Sequence, residues 1–289
     1  MLSFSTPFPS TTVKQFTIPK TRCRHPPRAS QKRLPTSENA AQNPSPQSKL
    51  GQVHLIGTGP SSVNHLTKGA VRKIQQASII LHDRLVSAEI LSQANPSAKL
   101  ISVAKGRGQG TGSQSAINQQ LATYAKSGHT VARLKGGDPS IFGRLGSELE
   151  FLRRERIPVS VEAGVTTASA LAARLRFPLT HAQVARGVCF VSAHEDVDWI
   201  SGALLGHVTL VVYMGLHRLG DLLKRLSESG ADGDVAAVAV HGVSTEDEQV
   251  VWGTIDTLHA KVLDAALSSP TIVVIGNVVR LACGWEGGS

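Results

Sequence analysis

The sequence predicts an α/β fold built in two halves with a cleft between them. Three observations carry that prediction. From Gln52 onward, short apolar runs alternate with stretches of helical periodicity, the pattern of a mostly parallel sheet with helices on its faces. The alternation breaks at Pro178 and Thr180 and then resumes. In the second half, the runs 235–240 and 249–254 follow each other with no helix between them. That sheet is therefore expected to be mixed, with some antiparallel pairing.

In the first half, the runs 53–57, 78–82, 99–103, 130–134 and 158–162 read as strands. The helical stretches lie near 65–77, 87–94, 114–127, 143–155 and 166–176. In the second half, the strand runs are 188–193, 208–213, 235–240, 249–254 and 271–276, with helices near 216–229 and 255–266. Expected domains are 51–178 and 183–289, joined near 176–186. The interface between two such domains is a favoured place for a small-molecule site.

Of the 289 residues, 41% are hydrophobic, enough for a sizeable core. The net charge of +9 is unevenly spread. Residues 1–50 hold eight Lys and Arg against one acid, Glu38, while the rest holds 22 basic and 20 acidic residues. The nearly neutral remainder gives no reason to expect a nucleic-acid partner. The first 50 residues also contain seven Ser, six Thr and eight of the 14 Pro. Residues 1–48 therefore read as an organelle transit peptide. The Pro density points to a chloroplast rather than to an amphipathic mitochondrial presequence. A disordered basic tail is the alternative.

No run approaches about 20 consecutive apolar residues, so no membrane span is expected. The cysteines at 23, 189 and 283 lack CxxC spacing, which predicts neither zinc nor any other metal site. Cys189, inside an apolar run, reads as a small core residue.

Two loops stand out. Arg133-Leu134-Lys135-Gly136-Gly137-Asp138-Pro139 follows one strand run and precedes a helical stretch. Ligands of open α/β sheets bind at such carboxyl-end loops, and its glycines allow either close approach of a ligand or positive φ. Read alone, the segment fits a plain turn equally well. Gly57-Thr58-Gly59-Pro60 follows the first strand, and Asp83 lies 24 residues beyond Gly59. A dinucleotide reading fits poorly. The third glycine falls at Ser62, and Pro60 removes an N–H that a pyrophosphate would use.

The segments VHLIGTGP at 53–60, LHDRLVS at 81–87, RLKGGDPSIFGR at 133–144, AGVTTASA at 163–170, PLTH at 178–181 and VVYMGL at 211–216 occur in one order. Together they resemble the uroporphyrinogen-III C-methyltransferases of the tetrapyrrole methylase family, over about residues 51–280. The resemblance implies two α/β domains in a kidney-shaped outline and a homodimer. It also implies methylation of carbons 2 and 7 of uroporphyrinogen III by S-adenosylmethionine. The product would be precorrin-2, for sirohaem or corrinoids. Fused dehydrogenase or ferrochelatase chemistry is not expected.

On the matching motifs, the resemblance assigns Pro60, Gly136, Gly137, Asp138, Ile141, Thr166, Thr167, Met214 and Gly242 to the cofactor. The residue types suit that use: small residues admit main chain to adenine and ribose, Asp138 accepts polar hydrogens, and Met214 offers soft apolar contact. Core packing for Met214 and helix capping for the two threonines are the plain alternatives. Asp83 and Lys105 match positions implicated in proton handling. The pyrrole carbon is itself the nucleophile, so the need is for a base near the ring N–H. A surface pair with Arg84 is the plain alternative for Asp83, and a solvated side chain for Lys105. Arg84, Arg107, Arg133 and His181 are further candidates for gripping substrate carboxylates.

Some positions depart from the family pattern. Ser61 and Ser62 follow Pro60, Gly106 separates Lys105 from Arg107, Ala163 precedes Gly164, and Ala182 follows His181. Two other readings stay open at this level. One is a same-fold methyltransferase acting on another corrinoid or on a protein. The other is a catalytically silent tetrapyrrole-binding protein.

Overall fold

The computed structural model describes residues 50–103, 113–194 and 200–286. Two five-stranded sheets organise them. The first contains β1 (Gln52–Gly57), β2 (Ile79–His82), β3 (Lys99–Ser102), β4 (Thr130–Lys135) and β5 (Val159–Glu162), in the order β3-β2-β4-β1-β5, all parallel. Helices α1 (Lys68–Gln76), α2 (Ala88–Leu91), α3 (Gln114–Lys126) and α4 (Leu145–Arg154) connect the strands. Thr67, Ser87 and Ser113 begin the first three by accepting the N–H of the residue three positions on, which satisfies one orphan donor at each helix start.

Period-two alternation divides the first sheet's side chains between two cores. Val53, Leu55, Ile79, Leu81 and Val131 pack under α3 and α4. Ile56, Ile80, Ala132 and Leu134 pack under α1 and α2. With both faces covered, the central strands read as unbroken apolar runs. The edge strand β3 is largely exposed instead.

The second sheet contains β6 (Gly187–Ser192), β7 (Val208–Tyr213), β8 (Ala236–His241), β9 (Gln249–Thr254) and β10 (Thr271–Ile275), in the order β6-β7-β10-β8-β9. β6 and β7 are parallel, and the other pairs are antiparallel. The mixed sheet expected from the helix-free join of β8 to β9 is observed. Helices α6 (Leu219–Glu228) and α7 (Leu258–Asp264) cover one face. The other face is covered by α5 (Thr167–Leu175), which follows β5: Ala168 and Leu171 pack with Val211, Val238, Val240 and Val274. The last helix of the first half is thus a layer of the second half's core.

One polar tether crosses the first sheet. His54, buried on β1, pairs with Ser160 of β5 at 2.7 Å, and Lys73 donates to the same hydroxyl at 2.6 Å while meeting Glu162 at 2.9 Å. Burial and the Lys73 ammonium push the His54 imidazole below its ordinary value, with Glu162 opposing them. As pH falls below that ordinary value, the unfolded chain takes up a proton that the folded chain resists, so stability falls. Thermal melts should show a lower Tm at about pH 5 than at about pH 7. His54→Gln should shrink that difference; an unchanged difference would remove His54 from the acid response.

Candidate active site

Every sequence-predicted residue of the first half that the structure describes lies at or beside the carboxyl edge of the parallel sheet. Three loops meet there, after β4, β1 and β5, which are neighbours in the strand order. Gly59 and Gly137 bond each other reciprocally, N–H to carbonyl, at 3.1 and 3.0 Å. A Cβ at Gly164 would overlap the Gly137 carbonyl oxygen, and one at Gly57 would lie 2.6 Å from the Gly164 nitrogen. Gly137 has φ +70°, and the direction its Cβ would take is open, with only Thr167 Oγ1 at 3.8 Å. The loop therefore leaves a small cradle facing Thr167. Pro60 is buried beside it, Gly136 is half-buried against Leu85, and Ile141 is half-buried in the turn that follows.

Asp138 braces this junction. Its Oδ2 accepts the Gly164 N–H at 2.9 Å, and its Oδ1 accepts the Ser140 N–H at 2.8 Å and the Ser140 hydroxyl. The carboxylate expected to serve a ligand thus first ties the β4 loop to the β5 loop. Thr166 occupies the N-cap position of α5 but makes no side-chain cap. Its hydroxyl bonds the Tyr213 hydroxyl at 2.6 Å, and that oxygen also accepts the Ala168 N–H at 3.3 Å.

The second sheet supplies the opposite wall. Strands β7 and β8 both run antiparallel to β10, so Met214 and Gly242 follow strand ends at one edge. Met214 is 56% exposed at φ +55°, which excludes the core-packing alternative. The Tyr213 ring touches Phe142 at 5.2 Å between centroids and thus meets the β4 loop. Burial raises the Tyr213 pKa, the bonds from Thr166 and Ala168 oppose that, and nearby Asp138 adds to it. Tyr213 is accordingly a neutral phenol. Ser61, Phe142, Arg144, Met214 and Ser244 are non-glycine residues at positive φ, all in these loops. Such conformations cost about 1–3 kcal/mol each and persist where the surroundings over-determine them.

Asp83 follows β2 at the same edge. It pairs not with Arg84, which is exposed, but with Arg133 of β4, Nη2 to Oδ1 at 2.5 Å. This corrects the expectation for Arg133. Its side chain is only 3% exposed, and its other donors reach Glu148 Oε1 at 3.3 Å and the Leu134 carbonyl at 3.0 Å. Alternation along β4 turns Val131, Arg133 and Lys135 to the face under α4, so Arg133 points inward and cannot grip a substrate carboxylate. Fully buried Glu148 on α4 also accepts Lys135 Nζ at 2.9 Å. Burial and the Arg133 charge lower the Lys135 pKa, against the pull of Glu148 and Asp83.

His181 lies in the connection from α5 to β6. It closes a tight turn onto Ala185 between the two halves and lines a hollow of about 330 Å³ with Thr180, Ala182 and Arg186. Lys105 and Arg107 lie outside the described residues. A cavity of about 670 Å³ lined by Gln183, Asp232, Asp234 and Arg280 contains none of the candidate residues. Among the described residues, no group of three or more His, Cys, Asp or Glu could hold a metal ion, and no helix is long and apolar enough to cross a membrane. Sequence reasoning missed Glu148 and Tyr213. The signal for Glu148 was present: two cations alternating in a buried strand demand an acid above them.

A family model described as tetrapyrrole (corrin/porphyrin) methylases matches residues 52–259. The chain is 41% identical over 241 residues to the chloroplastic S-adenosyl-L-methionine-dependent uroporphyrinogen III methyltransferase of Arabidopsis thaliana, an alignment covering 81% of this chain and 65% of that one. It is 43% identical over 237 residues to the siroheme synthase of Methylococcus capsulatus, covering 80% of this chain and 50% of that one. The chain thus spans 65% and 50% of these two relatives. The crystal structure of uroporphyrin-III C-methyltransferase from Thermus thermophilus complexed with S-adenosylhomocysteine matches with a TM-score of 0.68 at 34% identity, covering 80% of this chain and 94% of that one.

Fully buried Glu148 meets both buried cations, so removing it should be costly. Glu148→Ala should destabilise the fold by about 3–5 kcal/mol, the range for leaving a buried charge uncompensated. Urea unfolding of both proteins measures this, and a loss below about 1 kcal/mol would mean that the cluster is solvated.

Proposed function

The chain belongs to the tetrapyrrole methylase family, and we propose that it transfers methyl groups from S-adenosylmethionine to carbons 2 and 7 of uroporphyrinogen III, giving precorrin-2 for sirohaem synthesis. The observation that carries this reading is the glycine cradle at Gly137, open towards Thr167, with a free-edged carboxylate, Asp83, at the same end of the sheet.

The residues present fit the cofactor. Pro60, Gly136, Gly137, Asp138 and Ile141 form one side of its expected site, Thr166 and Thr167 the floor, and Met214 and Gly242 the other side. When bound, S-adenosylmethionine supplies an electrophilic methyl group on a sulfonium. A pyrrole carbon of the substrate would take that methyl, with S-adenosylhomocysteine as the leaving product, so no nucleophile is asked of the protein. The ring N–H grows acidic as positive charge builds. Asp83, with its Oδ2 clear of hydrogen bonds among the described residues, accepts that proton. Lys105, Arg84 and Arg107 are cations suited to the eight substrate carboxylates.

The two sheets support a division into domains at 51–178 and 183–289, although α5 serves both. The acid-poor, Pro-rich first 48 residues and the chloroplastic Arabidopsis relative support import into plastids. The homodimer rests on the family resemblance.

Incubation of the chain with labelled S-adenosylmethionine and uroporphyrinogen III tests the function. Two labelled methyl groups per product are expected, and absence of transfer to this substrate would reject it. Gly137→Val places a branched side chain in the cradle and in a backbone region that β-branched residues avoid. Calorimetric affinity for S-adenosylhomocysteine should fall about 10²-fold or more, with far-UV circular dichroism unchanged. Unaltered affinity would place the cofactor elsewhere.

Asp83→Ala should separate proton handling from cofactor binding. Turnover is expected to drop about 10²–10⁴-fold, the usual contribution of a general base, with S-adenosylhomocysteine affinity unchanged. Full turnover in that variant would reduce Asp83 to a surface residue.

A further inference from the structure

Burial leaves Arg133 no direct reach to substrate, yet its guanidinium ends on the one carboxylate that the chemistry needs. We infer that Arg133 is a positioning residue: it fixes Asp83 Oδ1 from inside the sheet and leaves Oδ2 for the substrate proton. The inference rests on the reading of Asp83 as the proton acceptor.

The geometry forms a closed ring. Arg133 Nη2 donates to Asp83 Oδ1 at 2.5 Å, and Arg133 Nη1 donates to the Leu134 carbonyl at 3.0 Å. That same carbonyl accepts the Asp83 main-chain N–H at 3.3 Å. Side chain and main chain of Asp83 are thus both tied to β4. The planar fork of arginine suits such a ring, because its donors keep a fixed angle to one another.

The ring is itself anchored. Arg133 Nε donates to Glu148 Oε1, which also accepts Lys135 Nζ at 2.9 Å and Gln114 Nε2 at 3.2 Å. Gln114 in turn donates to Asn118 at 2.9 Å. The anchor thus draws on β4, α3 and α4, so the guanidinium has little freedom to turn away. The charges point the same way. Arg133 and Lys135 bring two cations under α4 against one buried anion, Glu148, and Asp83 is the second anion that closes the balance. The Asp83 side chain remains 36% exposed, so the group held from behind still has an accessible side.

A structural ion pair would look similar in a static view, and a double-mutant cycle separates the two. Arg133→Lys keeps the charge beside Glu148 but cannot span Leu134, Glu148 and Asp83 together. Its kcat for methyl transfer should fall about 10- to 10²-fold, the scale of a small misplacement of a reacting group. KM for uroporphyrinogen III and calorimetric affinity for S-adenosylhomocysteine should stay close to those of the parent chain. Combined with Asp83→Asn, Arg133→Lys should slow turnover no further, because its effect passes through a carboxylate that is already gone.

If the two losses multiply, or if Arg133→Lys leaves kcat intact while Asp83→Asn lowers it, the positioning role is wrong and Asp83 stands. If Asp83→Asn alone keeps full turnover, the reading of Asp83 fails and takes this inference with it. Should Arg133→Lys not fold, Arg133→Gln, which keeps a donor without the charge, completes the same cycle with the same outcomes.

Discussion

The carboxyl ends of β4, β1 and β5 approach so closely that the loops leaving them share one packed layer, and the rest of the site depends on that contact. Gly57, Gly137 and Gly164 make it possible, since a Cβ at Gly164 would overlap the Gly137 carbonyl. The reciprocal Gly59–Gly137 bonds extend the sheet by one antiparallel bridge beyond its parallel strands. Asp138 then binds the third loop through the Gly164 N–H. A ligand at this edge meets a surface whose shape is fixed before it arrives, which lowers the ordering cost of binding.

A second constraint acts beneath that surface. Strand β4 places Arg133 and Lys135 on a covered face, where isolated charges would be very costly. Glu148 on α4 and Asp83 after β2 offset that cost together. Among the described residues Glu148 Oε2 is buried without a hydrogen-bond partner, so the cluster is not optimised for stability alone. Polar groups arranged in this way fit a role in holding geometry better than a role in strengthening the core.

The second half contributes walls rather than loops of the same kind. Tyr213 bonds Thr166 at the start of α5 and packs against Phe142, while α5 itself is buried in the second sheet's core. Movement of one half against the other would therefore disturb this loop edge directly. Five of the eight non-glycine residues at positive φ among the described residues lie in the same loops, where packing from both sheets can hold strained backbone in place.

The sequence by itself determined the elements. All ten apolar runs are strands within about two residues of their expected limits, because burial on both faces of a sheet leaves an unbroken apolar signature. The paired late runs already implied antiparallel structure, and the motif glycines already marked the loops of the site. Only the tertiary structure decided the strand order and the partners of individual side chains. Arg133 reads in sequence like any basic residue beside a binding loop. Its direction depends on the parity of β4, and its partner Glu148 lies 15 residues away on a covering helix. Thr166 occupies a cap position, yet bonds a tyrosine 47 residues distant. His181 sits in a motif that suggested the site, and the contact the fold gives it is a tight turn onto Ala185. Periodicity is local and survives in one dimension; charge pairing and loop contact depend on distances that exist only once the strands are ordered.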